Sequence, residues 1–324
     1  MKAIVVASPG RPEDLAIRDV PEPAPREGEI LIDVRATALN RADLLQRRGL
    51  YPPPEGAPDI LGLECAGTVA ALGAGACRFS VGDRVMALLA GGGYAERVAV
   101  HERLVMTIPD SLDFQQAAAI PEAFLTADEA LFGLGALEPG ETVLIHAAAS
   151  GVGTAAVQLA LRHGASVVGT ASVGAKLELL EKLGVTLAVD RNGEDFAERL
   201  AARGIAPNVV LDVVGKNYAE RHGACLAQCG RWIVMGTLSG AVASVDLGRV
   251  LKKRLRILGL VMRSRPTLEK AAVVARFSRR WLPLLGGAAI HPVIDSVLPL
   301  ERAGDAHRRM EQNLNVGKIV LALG

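Results

Sequence analysis

Residues 144–160 have the spacing of a phosphate-binding turn between a strand and a helix. An apolar run leads into a turn of small residues, and an alanine-rich segment with helical character follows it. Backbone N–H groups and the positive end of a helix dipole suit the pyrophosphate of a dinucleotide. The G-x-G-x-x-G template fits only in part, because Ala149 and Thr154 occupy its first and last positions. The residues expected at the cofactor are Gly151, Val152 and Gly153; a tight turn that binds nothing is the alternative.

The end of the next strand indicates which dinucleotide is bound. An NAD-binding unit places a carboxylate about 20 residues beyond the glycines, where it binds the ribose hydroxyls. Here that strand ends in Ser172 without a carboxylate, Lys176 follows, and Arg191 lies just past the third strand. A hydroxyl and two cations suit a 2′-phosphate, which a carboxylate would repel. We therefore predict NADPH rather than NADH; ordinary exposed side chains are the alternative for Lys176 and Arg191.

The elements that position this turn form two domains, and the fold class is α/β. Residues 122–287 alternate apolar strands with helical segments, which predicts a doubly wound parallel sheet of the Rossmann type. Residues 1–121 are rich in glycine, proline and short β-like runs, which predicts a mostly β substrate domain. Residues 288–324 return to strand, helix and strand and are expected to complete that domain.

Composition excludes several classes of partner. The chain has 36 Lys and Arg against 35 Asp and Glu, so its near-zero net charge predicts neither a nucleic-acid nor a membrane-surface partner. The apolar run after Lys2 is too short for a signal peptide, and no run reaches the roughly 20 apolar residues of a membrane helix. The four cysteines lack zinc-site spacing and are expected to be reduced thiols, which predicts a cytoplasmic protein.

Several motifs, in order along the chain, resemble the medium-chain dehydrogenases/reductases. They are GLECAGTVAALG (62–73), VGDRV (81–85), AAASGVG (147–153) and NVGKIVL (315–321). Within that superfamily the chain resembles the zeta-crystallin-like NADPH:quinone oxidoreductases, and segments 38–54, 117–127, 146–158 and 310–321 look closest to the stress-inducible subgroup. The resemblance spans essentially the whole chain. It implies a GroES-like first domain, a Rossmann second domain and NADPH in the cleft between them.

The resemblance also shows which chemistry the chain lacks. Zinc alcohol dehydrogenases of the superfamily carry a catalytic cysteine after the second strand and a Gly-His-Glu motif. Here the matching positions are Asn40 and Leu63, and the four-cysteine structural zinc loop is missing. Because leucine cannot bind zinc and asparagine replaces a thiolate poorly, we predict no metal site. Hydride transfer without a Lewis acid needs an acceptor that is already electrophilic, such as a quinone or an enone.

Two residues of the first domain are predicted to orient that acceptor. Asn40 is a candidate amide donor near the nicotinamide or the acceptor oxygen, with a structural turn residue as the alternative. Tyr51 lies in the stiff stretch 49–54, where a phenol can stack on a flat substrate or bind its oxygen. Packing of Tyr51 against the prolines is the alternative. In the resembling family a tyrosine of this loop lines the substrate cleft.

Further cofactor contacts are expected at the carboxyl ends of the strands, where an open α/β sheet binds its ligand. By the resemblance, Thr126 faces the cofactor. The other expected positions are Gly236, Leu260, Met262 and Asn315, with a helix-to-strand turn as the alternative for Asn315. Arg263 is expected to face solvent, with the substrate as the alternative. The resemblance also implies a homodimer formed through an edge of the cofactor sheet.

The predicted reaction is hydride transfer from NADPH to a quinone or a similarly activated carbonyl. An enoyl reductase acting on C=C bonds of enones or acyl thioesters would use the same fold and cofactor. A non-catalytic NADPH-binding redox sensor is a rival of another class. The sequence leaves these alternatives open.

Overall fold

The structure, a computed structural model, describes residues 1–172, 174–287 and 290–324. It divides into two compact units. The first unit comprises Met1–Leu125 and Met262–Gly324, and the second comprises Thr126–Val261.

The regular elements are numbered here in chain order. The strands are β1 (Lys2–Val6), β2 (Leu15–Asp19), β3 (Glu29–Ala38), β4 (Glu64–Leu72), β5 (Arg84–Leu88), β6 (Arg97–His101), β7 (Val105–Thr107), β8 (Thr142–Ile145), β9 (Ser166–Ala171), β10 (Leu187–Asp190), β11 (Val209–Asp212), β12 (Arg231–Val234), β13 (Arg256–Gly259), β14 (Ile294–Pro299) and β15 (Lys318–Ala322). The helices are α1 (Arg41–Arg47), α2 (Phe114–Ala118), α3 (Pro121–Asp128), α4 (Gly151–Arg162), α5 (Ala175–Leu183), α6 (Phe196–Ala202), α7 (Ala219–Cys225), α8 (Leu247–Lys253), α9 (Thr267–Arg280) and α10 (Ala303–Glu311).

The second unit contains the predicted doubly wound sheet. Its six strands are all parallel and lie in the order β10-β9-β8-β11-β12-β13. The apolar central strands β8, β9 and β11 are buried, as strands covered on both faces must be. The strands β9 and β10 lie on one side of β8, and β11, β12 and β13 lie on its other side. The neighbours β8 and β11 therefore mark the switch point of this topology. The α/β fold class is therefore confirmed.

The first unit is built on an antiparallel and mixed sheet of seven strands. Their order is β14-β15-β3-β4-β5-β7, and β6 also pairs with β3. The long pair β3–β4 changes register between Leu31 and Ile32 and again between Val34 and Ala36, so the sheet bends there. Residues on its inner face, among them Ile30, form a buried apolar core. The C-terminal strand β15 pairs antiparallel with β3 in this unit.

Helix α9 lies in the first unit, whereas the sequence boundary at 287 placed it with the cofactor domain. It packs against β7 and the 3-10 turn at Glu102–Leu104. Its buried Phe277 makes an edge contact with Phe124, with 6.4 Å between ring centroids. The amphipathic pattern of α9 predicts a helix with one buried face but not the sheet that this face covers.

No helix in the described part of the chain is long and apolar enough to cross a membrane.

Candidate functional site

A side-chain hydrogen bond at the start of α4 holds the turn of residues 147–153. Ser150 caps α4 and its Oγ accepts from the Gly153 N–H at 3.1 Å. A Cβ at 153 would lie 2.4 Å from the Ala147 oxygen and 2.6 Å from the Ala148 oxygen, so only glycine fits. Gly153 therefore serves the close packing of α4 on the turn. Ala147 itself has a φ of +50°, a left-handed conformation that is unfavourable for alanine.

A narrow cleft opens beside this turn within the second unit. It lies past the carboxyl ends of β8, β11 and β12, where a doubly wound sheet binds its ligand. The lining residues are Ile145, His146, Ser150, Val152, Gly153, Ala156, Leu211, Val213 and Met235. Gly236 comes just after β12, where a Cβ would lie 3.1 Å from the Val213 oxygen. Of the sequence-predicted residues, Val152 and Gly153 thus follow β8, and Gly236 follows β12, which β11 separates from β8 in the sheet.

The three residues predicted to hold a 2′-phosphate lie at the ends of β9 and β10. Ala171 pairs with Asp190 in the sheet, so Ser172 and Arg191 follow adjacent strand ends. The Arg191 N–H donates to the Ala171 oxygen at 2.9 Å. Lys176 is the second residue of α5, the helix that follows β9. The sheet therefore brings Ser172 and Arg191 together, and their contact with a phosphate stays a prediction.

The other predicted cofactor residues differ in what they touch. The Thr126 Oγ1 is buried without a hydrogen-bond partner among the described residues. Such an orphaned hydroxyl is the kind of group that a ligand satisfies. Asn315 donates to the Gly317 oxygen at 2.8 Å, so this observed bond belongs to the turn before β15. Leu260 and Met262 are both buried, and a role for them at a cofactor stays a prediction.

Asn40 lies in a buried cluster of polar side chains with Glu64 and Lys318. Its Nδ2 donates to Glu64 Oε1 at 2.8 Å, and its Oδ1 accepts from Lys318 Nζ at 2.8 Å. Lys318 Nζ also donates to Glu64 Oε1 at 2.5 Å and to the Leu39 oxygen at 2.7 Å. A second, weaker bond joins Asn40 Nδ2 to the Ala38 oxygen at 3.3 Å. Both amide hydrogens of Asn40 are thus used within the protein, and its contact with an acceptor stays a prediction.

Tyr51 lies against Arg263, which is buried. The Arg263 Cζ lies 5.3 Å from the centre of the Tyr51 ring, a cation–π contact. Its guanidinium also donates to the Ala90 oxygen at 2.7 Å and to Gln46 Oε1 at 2.8 Å. The prediction that Arg263 faces solvent is therefore wrong, because three acceptors and an aromatic ring hold it inside.

Glu122, at the start of α3, lies beside Glu64. Its backbone N–H donates to Glu64 Oε2 at 2.9 Å. Burial, and then the nearby Glu64 carboxylate, raise the pKa of the Glu122 carboxyl to about 8. Burial likewise raises the pKa of Tyr51, and the Glu122 charge adds to that rise. Lys270, whose Nζ donates to the Arg263 oxygen at 3.3 Å, has its pKa lowered by burial.

The first unit contains a second chain of buried polar side chains. The Tyr94 hydroxyl lies 3.3 Å from Asp43 Oδ2, to which it donates, and 3.2 Å from His307 Nε2. The other nitrogen of His307 is 3.1 Å from Arg47, which pairs with Glu311. Burial raises the pKa of Asp43 to about 6. Tyr94 is fully buried.

His146 is part of a buried ring cluster in the second unit. Its Nε2 lies 2.8 Å from His222 Nε2, and its Nδ1 lies 3.0 Å from Thr170 Oγ1. Rings of Phe196 and Tyr218 pack against it. Burial lowers the pKa of His146 well below its ordinary value and lowers that of His222 to about 3. These contacts support a core role for His146.

Replacing His222 by phenylalanine should reduce the loss of stability in acid. A folded-state pKa below the unfolded value means that the unfolded chain binds more protons below about pH 6.5. Above that pH such a histidine does not lower the free energy of unfolding. Below it, the free energy of unfolding falls by about 1.4 kcal/mol per pH unit. Between pH 7 and pH 5 the variant should therefore lose about 2 kcal/mol less than the wild type.

Chemical denaturation at the two pH values measures this difference, since any pH-independent effect of the substitution cancels. Asp43 and Glu122, with raised pKa values, stabilise the fold as the pH falls, but they do so equally in both proteins. An equal loss in the wild type and in His222→Phe would show that His222 is protonated in the folded state.

Sequence reasoning missed three residues of the first unit. Glu122 lies in the segment 117–127 that carries the resemblance, four residues before Thr126. Lys318 is the first residue of β15, and the other four residues of that strand are apolar. Lys270 gives no sequence signal, because a lysine on an amphipathic helix is ordinarily solvated.

Comparison with known proteins places the chain in a family. A family model described as "Zinc-binding dehydrogenase" matches residues 151–278, and one described as "Alcohol dehydrogenase GroES-like domain" matches residues 26–110. A quinone oxidoreductase of Pseudomonas aeruginosa is 36% identical over 99% of this chain and 99% of its own length. The chain belongs to the quinone oxidoreductase family of the medium-chain dehydrogenases/reductases. The resemblance predicted from the motifs is thus confirmed.

Two solved structures resemble this quinone oxidoreductase family member over nearly its whole length. The Escherichia coli quinone oxidoreductase complexed with NADPH has a TM-score of 0.87 and 31% identity, covering 99% of this chain and 100% of that one. The CurK enoyl reductase has a TM-score of 0.87 and 29% identity, covering 100% and 99%. Relatives with this fold therefore include proteins named for two different acceptors.

The residues of this family member do not fit a zinc ion. An ammonium, Lys318, already lies 2.5 Å from the Glu64 carboxylate, and Leu63 has no donor atom. Across residues 1–172, 174–287 and 290–324, no group of three His, Cys, Asp or Glu side chains could hold a metal. Other residues of the chain do fit a dinucleotide. The capped start of α4, the close packing at Gly153 and the unpaired hydroxyl of Thr126 all suit such a ligand.

Proposed function

We propose that this protein is a zinc-independent, NADPH-dependent oxidoreductase that transfers hydride to a quinone. The observation that carries the proposal is the Lys318 ammonium bound to Glu64 and Asn40. It fills the position beside Glu64 with a fixed cation that cannot coordinate a substrate oxygen as zinc does. An acceptor must then be electrophilic by itself, as a quinone is. The names of the relatives support this substrate class.

In this proposal the second unit binds the cofactor. The pyrophosphate would lie on the start of α4 at Gly151, Val152 and Gly153, and Thr126 would receive the nicotinamide end. Ser172, Lys176 and Arg191 would hold the 2′-phosphate through a hydroxyl and two cations. Bound NADPH supplies the hydride. The remaining predicted contacts are Gly236, Leu260, Met262 and Asn315.

The first unit would bind the acceptor. Tyr51 offers a flat ring whose position is set by the buried Arg263, so a planar quinone can stack on it. Asn40 would act by holding Glu64 and Lys318 in place. Orientation by fixed groups is the main contribution that a protein makes when the cofactor carries the chemistry.

Replacing Lys176 by alanine should weaken NADPH binding while leaving NADH binding nearly unchanged. A charge-assisted hydrogen bond to phosphate contributes about 1.5–3 kcal/mol, so KM for NADPH should rise about 10–100-fold. Lys182→Ala, an exposed lysine on the same helix, is the matched control and should change neither value. The assay is oxidation of NADPH and of NADH with a panel of ortho-quinones and a panel of enones.

The panel also tests the reaction. Quinone turnover with NADPH preference supports the proposal, and turnover of enones alone would replace it with an enoyl reductase, the second candidate that the CurK similarity favours. NADPH binding without turnover on either panel would indicate a sensor. A preference for NADH in the wild type would contradict the proposed phosphate contacts, and tightly bound zinc by metal analysis would contradict zinc independence.

We also propose a homodimer formed through β13. This strand is the edge of the cofactor sheet, and apolar side chains around it are exposed, 45% for Ile257 and 78% for Leu251. An exposed edge strand with apolar neighbours pairs readily with a second chain. A monomeric mass by light scattering would contradict this. The proposal places the enzyme in the cytoplasm, where its free thiols stay reduced.

A further inference from the structure

A chain of buried polar side chains crosses four neighbouring strands of the second unit. Thr170 lies in β9, His146 follows β8, Asp212 ends β11 and Trp232 lies in β12. His222 of α7 links two of them, since its Nε2 lies 2.8 Å from His146 Nε2 and its Nδ1 lies 3.5 Å from Asp212 Oδ2. All five side chains are buried. Polar groups are held in a protein core where they satisfy one another.

Asp212 anchors the loop that follows β11. Its Oδ1 accepts from the backbone N–H groups of Val214 at 2.7 Å and Gly215 at 3.0 Å, and its Oδ2 accepts from Trp232 Nε1 at 3.0 Å. Three N–H donors favour the ionised form of this carboxyl group. Val213, the first residue of the loop, lines the cleft beside the turn of residues 147–153. The Asp212 carboxylate therefore sets the position of one side of that cleft.

The hydrogens of the chain have one favourable direction. The Asp212 carboxylate faces His222 Nδ1, so that nitrogen carries the ring hydrogen, because a lone pair there would be repelled. His222 Nε2 is then an acceptor. Two Nε2 atoms 2.8 Å apart share one hydrogen, which must belong to His146. The free Nδ1 of His146 accepts in turn from the Thr170 hydroxyl at 3.0 Å.

His146 connects this anchor to the opposite side of the cleft, which it also lines. Its backbone N–H donates to the Leu211 oxygen at 3.1 Å, and the Ala148 N–H donates to the Thr170 oxygen at 2.9 Å. Because β8 and β11 flank the switch point, the chain ties together the two loops between which a doubly wound sheet binds its ligand.

We propose that His222 and Asp212 are positioning residues for the cofactor, an assignment that rests on the function proposed above. Through His146 and through the Val214 and Gly215 backbone, they hold the turn of residues 147–153 and the loop of residues 213–215 at the spacing that NADPH requires. A cleft that is already formed binds more tightly, because affinity falls with the fraction of molecules that have the binding arrangement.

The first test observes the ring hydrogens directly. Long-range ¹H–¹⁵N NMR spectra of the cofactor-free wild type at pH 7 distinguish the two neutral forms of a histidine ring. His222 should carry its hydrogen on Nδ1 and His146 on Nε2, and spectra of His222→Gln and His146→Gln assign the two signals. The opposite arrangement, or a charged His222 ring, would overturn the proposal.

The second test replaces Asp212 by asparagine. Asparagine has one acceptor oxygen, so either the loop N–H groups or Trp232 Nε1 must face its amide NH₂ group. Kd for NADPH, measured by isothermal titration, should rise about 10-fold, which corresponds to the loss of one hydrogen bond. At saturating NADPH, kcat for quinone reduction should stay near that of the wild type, because bound cofactor restores the arrangement.

Phe196→Leu is the matched control. The Phe196 ring packs against both histidines, with 4.8 Å between its centroid and that of His146 and 5.6 Å to that of His222, but it forms no part of the polar chain. The variant should lower the temperature of unfolding and leave Kd for NADPH unchanged. An equal rise of Kd in Phe196→Leu and Asp212→Asn would show that packing alone is responsible, and the proposal would fail.

Two His222 variants give a further test that does not depend on the folding of Asp212→Asn. His222→Phe removes both ring nitrogens, whereas His222→Gln keeps an acceptor for His146 and a donor toward Asp212. Kd for NADPH should rise in the phenylalanine variant and recover toward the wild-type value in the glutamine variant. Equal values in the two variants would contradict the proposal.

The outcomes separate this proposal from the proposed function. If the wild type binds NADPH and reduces quinones while Asp212→Asn keeps the wild-type Kd, the positioning role is overturned and the function stands. If the wild type binds no NADPH, both proposals fail together.

Discussion

Replacing Lys318 by methionine is expected to lower the free energy of unfolding of the first unit by about 3–5 kcal/mol. Glu64 is fully buried, and Lys318 is the only cation that hydrogen-bonds to it among the residues described. Removal of the ammonium leaves a buried carboxylate without its counter-charge, and it also leaves the Asn40 oxygen without its donor. An uncompensated buried charge is among the most destabilising changes a single substitution can make.

The matched control is Lys2→Met, which breaks an exposed ion pair with Asp19 of similar length, 2.9 Å. Because water screens that pair, its loss should change stability by less than about 1 kcal/mol. Denaturant unfolding followed by circular dichroism measures both variants. The double variant Lys318→Met with Glu64→Gln should recover much of the loss, since no charge is then left buried. Equal effects of the two lysine substitutions would refute the burial argument.

Replacing Gly153 by alanine is expected to disrupt the cofactor turn. The added Cβ would meet backbone atoms of Ala147 and Ala148 at 2.4–2.6 Å, and backbone cannot rotate away as a side chain can. Overpacking of this kind destabilises by about 1–3 kcal/mol. If the turn moves to relieve the contact, its N–H groups move too. Loss of one charge-assisted bond to the pyrophosphate would then weaken NADPH binding about 10–100-fold.

Gly223→Ala is the matched control for this substitution. A Cβ at Gly223 would meet nothing within 4 Å, and the residue lies in helix α7 of the same unit. Alanine there should be neutral or stabilise by about 0.5–1 kcal/mol, because it restricts the unfolded chain. Isothermal titration with NADPH and thermal unfolding distinguish the two variants. Unchanged NADPH affinity in Gly153→Ala would contradict the role given to the turn.

Local sequence was sufficient to predict the cofactor unit. An apolar strand, a capped turn and an alanine-rich helix are set by contacts between residues close in the chain, so residues 142–162 fold as their pattern predicts. Strict alternation of strand and helix then leaves the parallel sheet as the arrangement that buries the apolar strands. The expectation that Ser172 and Arg191 lie together follows from the same topology.

The buried polar contacts of the first unit depend on tertiary structure instead. Lys318 reaches Glu64 across 254 positions of sequence, and Arg263 reaches Gln46 across 217. Neither a periodicity nor a turn signal encodes such pairs, which is why Arg263 was predicted to face solvent. The charge state of Glu122 likewise follows from burial and from the neighbouring Glu64, and neither is a property of the residues beside it in the chain. The sequence by itself determined the fold, the family and the cofactor turn, because these rest on short-range patterns. Only the tertiary structure decided which buried charges meet, because electrostatic interactions depend on distance in space and on exclusion of water.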